Sequence, residues 1–283
     1  MSKRFITKKQ ETILLLILTF RFINSKQIQQ FLGHKDHRRI NAWLKDLAEK
    51  HYIVREYKPV FGTLTKPAVC YLSLLGRQYI RNTLFFMDDK YLVRLRDDTK
   101  RSKSFKVKCQ LIADFYLIIY VGKEKELVTS IEEIVKEGVT MKPKVLQFFT
   151  PAFFSELDFV LLAHLKPDAY VSKQTKTGIV HTCIFVLDAY IPRLMLHYLL
   201  KRIFQALDEE TWEDDEVASL HLYFVCPNNM VIIYLRRLLS SFMESYYGSK
   251  PLMFHFATRN QLYKQKREKL TNTGWITVSS TDE

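Results

Sequence analysis

The chain has 283 residues, of which 47% are hydrophobic, and only 8 Gly and 8 Pro, which excludes collagen-like and broadly disordered proteins and favours two domains. Its formal net charge of +13 favours a polyanionic partner over an enzyme with an acidic pocket. The chain has four cysteines, Cys70, Cys109, Cys183 and Cys226. They lie far apart and form no CxxC pair, which argues against zinc fingers, thioredoxin-like chemistry and a secreted disulfide scaffold.

Positive charge is concentrated near the N-terminus. Residues 1–108 contain 24 Lys and Arg against 9 Asp and Glu, a net charge of +15, whereas residues 109–283 have a net charge of −2. A basic block joined to a nearly neutral remainder is typical of a binding module on a carrier. Residues 88–104 are charged and lack apolar periodicity, so we predict a basic linker there, between a domain at 1–87 and one at 105–283.

The first apolar stretch, residues 13–18, is too short for a targeting or membrane segment. A signal peptide needs a longer apolar run with a small-residue cleavage site, and a membrane helix needs about 20 apolar residues. We therefore expect a cytoplasmic protein that has no contact with a membrane.

Two helices are predicted at the start of the chain. The first, at about 7–23, is apolar nearly all round, as is usual for a helix at the centre of a domain. The second, at 26–32, follows a break at Asn24-Ser25, where the serine oxygen is expected to cap it, and ends at Gly33.

The third predicted helix, at about 36–50, is amphipathic. Its apolar residues recur at intervals of three and four and form one buried stripe: Ile40, Trp43, Leu44 and Leu47. The opposite face is polar and basic. Strands at 54–57 and 68–72, joined by a loop that contains Gly62, then predict a β-hairpin.

Helices followed by a hairpin in this order are typical of a winged helix-turn-helix, in which the third helix enters the major groove. Arginine can bond guanine, asparagine can bond adenine, and lysine can neutralise phosphate. The predicted contacts with double-stranded DNA are Lys35, Arg38, Arg39, Asn41 and Lys45 around the third helix, and Lys58 and Lys66 on the hairpin. Two alternatives remain open: a merely solvated helix face, or a winged helix that docks a protein.

The rest of the chain predicts an α/β (α+β) domain with a mixed sheet covered by helices. A helix at 104–120 comes first, and two long amphipathic helices lie at 192–207 and 229–247. Apolar strands are predicted near 145–149, 169–171, 183–187, 220–226 and 252–256.

Four features resemble the replication-relaxation family: the winged-helix start, Leu-Ser-Leu-Leu-Gly-Arg at 72–77, Lys-Pro-Asp-Ala at 166–169, and Phe-Val-Leu-Asp at 185–188 before a long helix. That family is encoded on plasmids and integrative conjugative elements, mostly of Gram-positive bacteria, and is implicated in plasmid replication or in DNA relaxation before conjugative transfer. The resemblance implies a sequence-specific accessory protein that helps a relaxase or replication initiator at an origin. Separately, a palindromic DNA site would imply a homodimer.

The second domain also resembles the restriction-endonuclease core, in which carboxylates on two strands hold Mg²⁺ and a lysine activates water. Asp168 matches the first carboxylate. At the second strand Glu-x-Asp is expected, but the chain has Val186-Leu187-Asp188, so Asp188 is kept and the Glu is lost; Glu156 or Asp158 could supply a carboxylate from a helix. Tyr190 stands where the lysine is expected. Because one ligand and the lysine are missing, we expect a nuclease-like scaffold without activity, metal or cofactor.

Several alternatives stay open. Asp168 could simply start a strand, and Asp188 could lie in the N-cap region of the next helix. The chain could be a transcriptional regulator with a C-terminal sensor or dimerisation domain, or an active Mg²⁺-dependent nuclease. The acidic run at 208–216 is interpreted as a solvated loop or a docking site, and the basic stretch at 259–269 as a helix face or a second phosphate contact.

Overall fold

A computed structural model describes residues 6–57, 67–83, 89–120, 122–137, 146–154, 157, 161–209, 217–248, 250–268 and 275–279. The chain divides into two units, Met1–Thr140 and Met141–Glu283. Within the described residues it has eleven α-helices, a three-stranded antiparallel sheet and a six-stranded mixed sheet. The predicted mixed α/β class is confirmed.

The first unit is mainly helical, with one small sheet. Its elements are α1 (Lys8–Phe20), β1 (Ile23–Asn24), α2 (Ser25–Phe31), α3 (His37–Glu49), β2 (Ile53–Glu56), β3 (Val69–Leu72), α4 (Leu74–Thr83), α5 (Asp89–Arg94), a 3-10 helix (Leu95–Lys100), α6 (Lys103–Ile119) and α7 (Glu124–Glu137). The strand order is β1-β3-β2, and the predicted hairpin pairs Ile53 with Leu72 and Glu56 with Val69.

Side-chain caps start the first helices. Thr7 and Gln10 form a capping box at α1, in which the Thr7 hydroxyl accepts from the Gln10 N–H and the Gln10 side chain accepts from the Thr7 N–H. The prediction that Ser25 caps α2 is wrong. Asn24 is the cap, because its Oδ1 accepts the N–H groups of Lys26 and Gln27, while Ser25 is buried as the first helical residue.

The predicted linker at 88–104 is replaced by α5 and the 3-10 helix where it is described. Asp98 is buried there, and its Oδ1 accepts from Arg21 Nε at 2.7 Å. The helix predicted at 104–120 is present as α6, but it packs on α1 and α2. Gln27 Nε2 on α2 donates to Asp114 Oδ1 on α6 at 2.8 Å. The division therefore falls at 140/141 rather than at 104/105.

The excess positive charge stays with the first unit under this division. Residues 1–140 contain 27 Lys and Arg against 15 Asp and Glu, a net charge of +12. Residues 141–283 contain 16 against 15, a net charge of +1.

The second unit is built on the six-stranded sheet. Its elements are β4 (Gln147–Phe149), α8 (Leu161–Leu165), β5 (Ala169–Thr175), β6 (Gly178–Val186), α9 (Arg193–Glu209), β7 (Val217–Cys226), α10 (Asn229–Met243), β8 (Leu252–Thr258), α11 (Arg259–Glu268) and β9 (Ile276–Ser279). The strand order follows the chain; β6, β7 and β8 are parallel, and the other pairs are antiparallel. Helix α11, in the basic stretch, is followed by β9, which the sequence did not predict.

The helices α9 and α10 cover one face of this sheet. Leu200 and Ile203 of α9 are fully buried, and the Phe204 ring stacks on Phe242 of α10 at 5.1 Å and on Phe254 of β8 at 5.9 Å. Burial of these apolar side chains is the main stabilising contribution to the unit. Among the described residues, no helix has the length and apolar composition needed to cross a bilayer.

Candidate nucleic-acid interface

Helix α3 presents three cations to solvent. Arg38, Arg39 and Lys45 are all exposed. The opposite side of the helix is fully buried and packs toward α1, α2 and β2, which fixes the orientation of the exposed face; its buried residues are Ile40, Leu44 and Leu47. Asp36 starts the helix, because its Oδ1 accepts from the Arg38 N–H at 2.8 Å. Lys45 Nζ lies 3.7 Å from Glu49, an exposed pair that contributes little.

Asn41 is placed differently from the three cations. It is half-buried, its Nδ2 lies 3.1 Å from His37 Nδ1, and its Oδ1 accepts from Arg55 Nη2 at 3.5 Å. Both ends of the amide are therefore engaged within the protein. A bidentate contact with adenine would require Asn41 to exchange these partners, so its observed contacts orient β2 against α3.

Trp43 lies on the other flank of α3. It was predicted to belong to the buried stripe, but it is only partly buried. The Arg39 guanidinium lies 5.7 Å from the centre of its ring, and the edge of the His34 ring approaches at 5.4 Å. These contacts hold the Arg39 guanidinium at one side of the exposed face of α3.

Two residues on the strand side were not predicted. Arg55 on β2 reaches Asn41, and its guanidinium lies 5.2 Å from the ring of Tyr57, which is 59% exposed. The alternation of apolar and polar residues in so short a strand did not predict the contact of Arg55 with Asn41. Lys58 and Lys66 lie outside the described residues, and Lys35 is exposed between α2 and α3.

Carboxylates close to α3 and β2 are paired with lysines. Lys50 Nζ donates to Asp46 Oδ2 at 2.7 Å, and this hydrogen bond lowers the pKa of the Asp46 carboxyl. Lys106 Nζ donates to Glu56 Oε2 at 2.6 Å. Pairing neutralises these two negative charges, so they oppose the potential of the exposed cations less than free carboxylates would.

The nuclease-like carboxylates of the second unit are only partly brought together. Asp168 immediately precedes β5 and Asp188 follows β6, so both lie at the same end of two adjacent antiparallel strands. Asp168 Oδ2 accepts the Val186 N–H at 2.8 Å, which is the role of a strand-starting residue. Glu156 and Asp158 lie outside the described residues, and Tyr190 is fully exposed.

The described part of the chain contains no group of three or more His, Cys, Asp or Glu side chains that could hold a metal ion. All four cysteines are buried, and none of them forms a disulfide. Burial raises the pKa of Cys70 and of Cys226 to about 12, and it also raises the pKa of Cys183. A buried thiol with a raised pKa is a poor nucleophile, so these three side chains act as core residues.

A polar chain across β7, β8 and β9 was not predicted. Ser219 Oγ lies 3.1 Å from His221 Nε2, His221 Nδ1 lies 3.0 Å from His255 Nε2, and His255 Nδ1 lies 3.1 Å from Thr277 Oγ1. Tyr223 stacks on His255 at 4.2 Å. Burial lowers the pKa of His221, and burial together with His221 lowers the pKa of His255 to about 4.

Comparison with known proteins identifies no match for this chain. The chain matches no family model, no curated protein and no solved structure. The likeness to the replication-relaxation family therefore rests on the short motifs of the sequence.

Proposed function

We propose that the first unit binds double-stranded DNA, with the exposed face of α3 in the major groove. The observation that supports this proposal best is the exposure of Arg38, Arg39 and Lys45 on one helix of a unit whose net charge is +12. Phosphate contacts by such cations supply most of the affinity for a duplex, and arginine can also read a guanine edge.

The distribution of charge along α3 favours entry by its N-terminal half. Arg38 and Arg39 lie in the first turn, Ala42 follows on the outward face, and Glu49 ends the helix. Recognition helices contact base edges mainly with their N-terminal residues. At the N-terminal end the two arginines outnumber the capping Asp36, whereas Glu49 would be repelled by phosphates if the C-terminal end entered the groove.

The hairpin supports the same orientation. The element order helix, strand, helix, helix, strand, strand agrees with a winged helix-turn-helix, and Arg55 joins β2 to α3 through Asn41. With Tyr57 exposed beside it, Arg55 is suited to the sugar-phosphate backbone that flanks the groove. Lys58 and Lys66, which lie outside the described residues, remain predicted phosphate contacts.

The biological context is proposed from the sequence motifs. We infer an accessory protein that binds a specific duplex site at an origin of replication or transfer and helps a relaxase or replication initiator. The second unit would then carry contacts with a protein partner or with a second copy, rather than cleave DNA.

The test measures duplex binding by the full chain. Selection from random duplexes gives the preferred site, and Arg38→Ala and Arg39→Ala are then compared with Lys125→Ala, which removes an exposed cation from α7. Each arginine variant should weaken binding by roughly 1–3 kcal/mol, and Arg38→Ala should also relax base preference. Equal affinities for all three variants would refute the proposal.

A further inference from the structure

Apolar side chains are exposed where α9 and α10 begin. Leu194 and Tyr198 of α9 are 61% and 53% exposed, and Met230 and Ile233 of α10 are 67% and 45% exposed. We call these four residues the α9–α10 patch. Single exposed apolar residues are ordinary, but a cluster of four large ones on neighbouring helices marks an interaction surface.

Ring contacts join the two helices that carry the patch. The Arg193 guanidinium of α9 lies 5.5 Å from the Tyr234 ring of α10, and Phe204 stacks on Phe242 further along. Because sequence numbers increase together in these contacts, the helices run parallel, with the first turn of α9 beside the second turn of α10. Leu194 and Tyr198 are four residues apart on α9, and Met230 and Ile233 are three residues apart on α10, so each pair shares one exposed face of its helix.

The border of the patch is positive. Arg193, Lys201 and Arg237 are exposed around it, and both helices direct the positive ends of their dipoles toward it. Asp208 and Glu244 lie at the opposite ends of these helices, and Asp188 lies at the end of β6, before α9 begins. A partner that covers the apolar residues must therefore accommodate cations at its own edge.

We propose that the α9–α10 patch docks an amphipathic helix of another protein, whose apolar side is bordered by Asp and Glu. A groove between two helices accepts such a helix through residues spaced three and four apart. Acidic borders complement Arg193 and Arg237, whereas a symmetric contact between two copies would bring these cations together at a cost. Met230 supplies an adaptable contact that tolerates differences in the partner's side chains.

Two designed peptides test this proposal on the full chain. Each is a helix of roughly 18 residues with leucines on one side, and its borders are glutamates in one peptide and lysines in the other. Fluorescence anisotropy at about 0.15 M salt measures their affinities. The glutamate peptide should bind about tenfold more tightly than the lysine peptide or better.

Variants of the patch locate the site. Leu194→Ser and Ile233→Ser should each weaken binding of the glutamate peptide about tenfold, and Arg237→Glu should shift the preference toward the lysine peptide. Gln205→Ser, at an exposed position further along α9, is the matched control and should change affinity by less than about twofold. All four positions are exposed, and unchanged circular dichroism and melting temperature will verify that the variants fold.

Other outcomes would overturn the proposal. Equal binding of both peptides, no binding, or binding that the patch variants leave unchanged would remove the acidic helix as occupant. If sedimentation experiments show a dimer and Leu194→Ser dissociates it, the patch would be assigned to a second copy of the chain. Cosedimentation with phosphatidylserine vesicles that Leu194→Ser abolishes would assign it to a lipid surface.

Discussion

The two units expose different kinds of surface. On the first, α3 presents charged side chains and its apolar residues are buried, while nearby carboxylates are paired with Lys50 and Lys106. On the second, α9 and α10 leave large apolar side chains uncovered within a basic border. The comparison indicates that net charge alone does not define a partner. Exposed cations on a helix whose aliphatic side chains are buried suit phosphates, whereas cations around an exposed aliphatic and aromatic cluster suit an acidic protein surface.

The largest effect is expected from Gly76→Ala on the first unit. A Cβ at position 76 would lie 2.0 Å from the backbone oxygen of Tyr52, so α4 would have to move away from β2. We expect the free energy of unfolding to fall by about 3 kcal/mol or more, as for severe overpacking. Urea unfolding measures this, with the exposed Gln78→Ala on the same helix as control. Equal stability of the two variants would show that α4 does not pack as described.

The next largest effect concerns the residues expected to be a linker. Burial raises the pKa of the Asp98 carboxyl, which remains paired with Arg21. Asp98→Ala should lower the free energy of unfolding by about 3 kcal/mol, because it leaves the largely buried Arg21 guanidinium without its carboxylate partner. Asp97→Ala, the exposed neighbour, should change it by less than about 0.5 kcal/mol. A true linker would show small effects for both substitutions.

A pH dependence is expected in the second unit. His255 has a folded pKa of about 4, below its ordinary value, and the pKa of His221 is also lowered. Between roughly pH 6.5 and pH 4 the unfolded chain therefore binds more protons, so stability falls as pH falls through this window, by about 2 kcal/mol. His255→Gln should reduce the slope of the free energy of unfolding against pH, measured by urea unfolding, whereas the exposed His164→Gln should leave that slope unchanged. A slope unchanged by His255→Gln would contradict the buried histidine chain.

The smallest effect is expected at Asn41. Because its amide already bonds His37 and Arg55, Asn41→Ala should weaken duplex binding by only about 1 kcal/mol, less than Arg38→Ala does. Competition between the two variants for the same labelled duplex measures the difference. A loss at Asn41 that exceeds the loss at Arg38 would make the amide a direct reader of bases.

Sequence patterns predicted elements better than their packing partners. The apolar spacing of α3 and of α6 is local, so both helices were found within one or two residues of their observed ends. Periodicity does not reveal which core a helix joins, and α6 was therefore assigned to the wrong side of the domain boundary. The same limit explains why residues 89–100 were predicted to be part of a linker. Their attachment to the first unit depends on the pair Arg21 and Asp98, which are distant in sequence.

Parts of the candidate sites also depend on contacts that are distant in sequence. The basic face of α3 could be predicted because its cations share one helix. The contact of Arg55 with Asn41 depends on how β2 packs against α3, and the chain from Ser219 to Thr277 depends on the register of three strands. No local pattern encodes either arrangement. The family motifs suggested Asp168 and Asp188, yet the hydrogen bond to Val186 gives Asp168 a structural role.

Site-directed photocrosslinking tests the duplex-binding role of α3 most directly. An azidophenylalanine replaces Ala42, at the centre of the outward face of α3, and in a control replaces Thr129, which is exposed on α7. After irradiation with the selected duplex, we expect a protein–DNA adduct from position 42 and none from position 129. An adduct at position 129, or none at position 42 while the duplex remains bound, would contradict the duplex-binding role of α3.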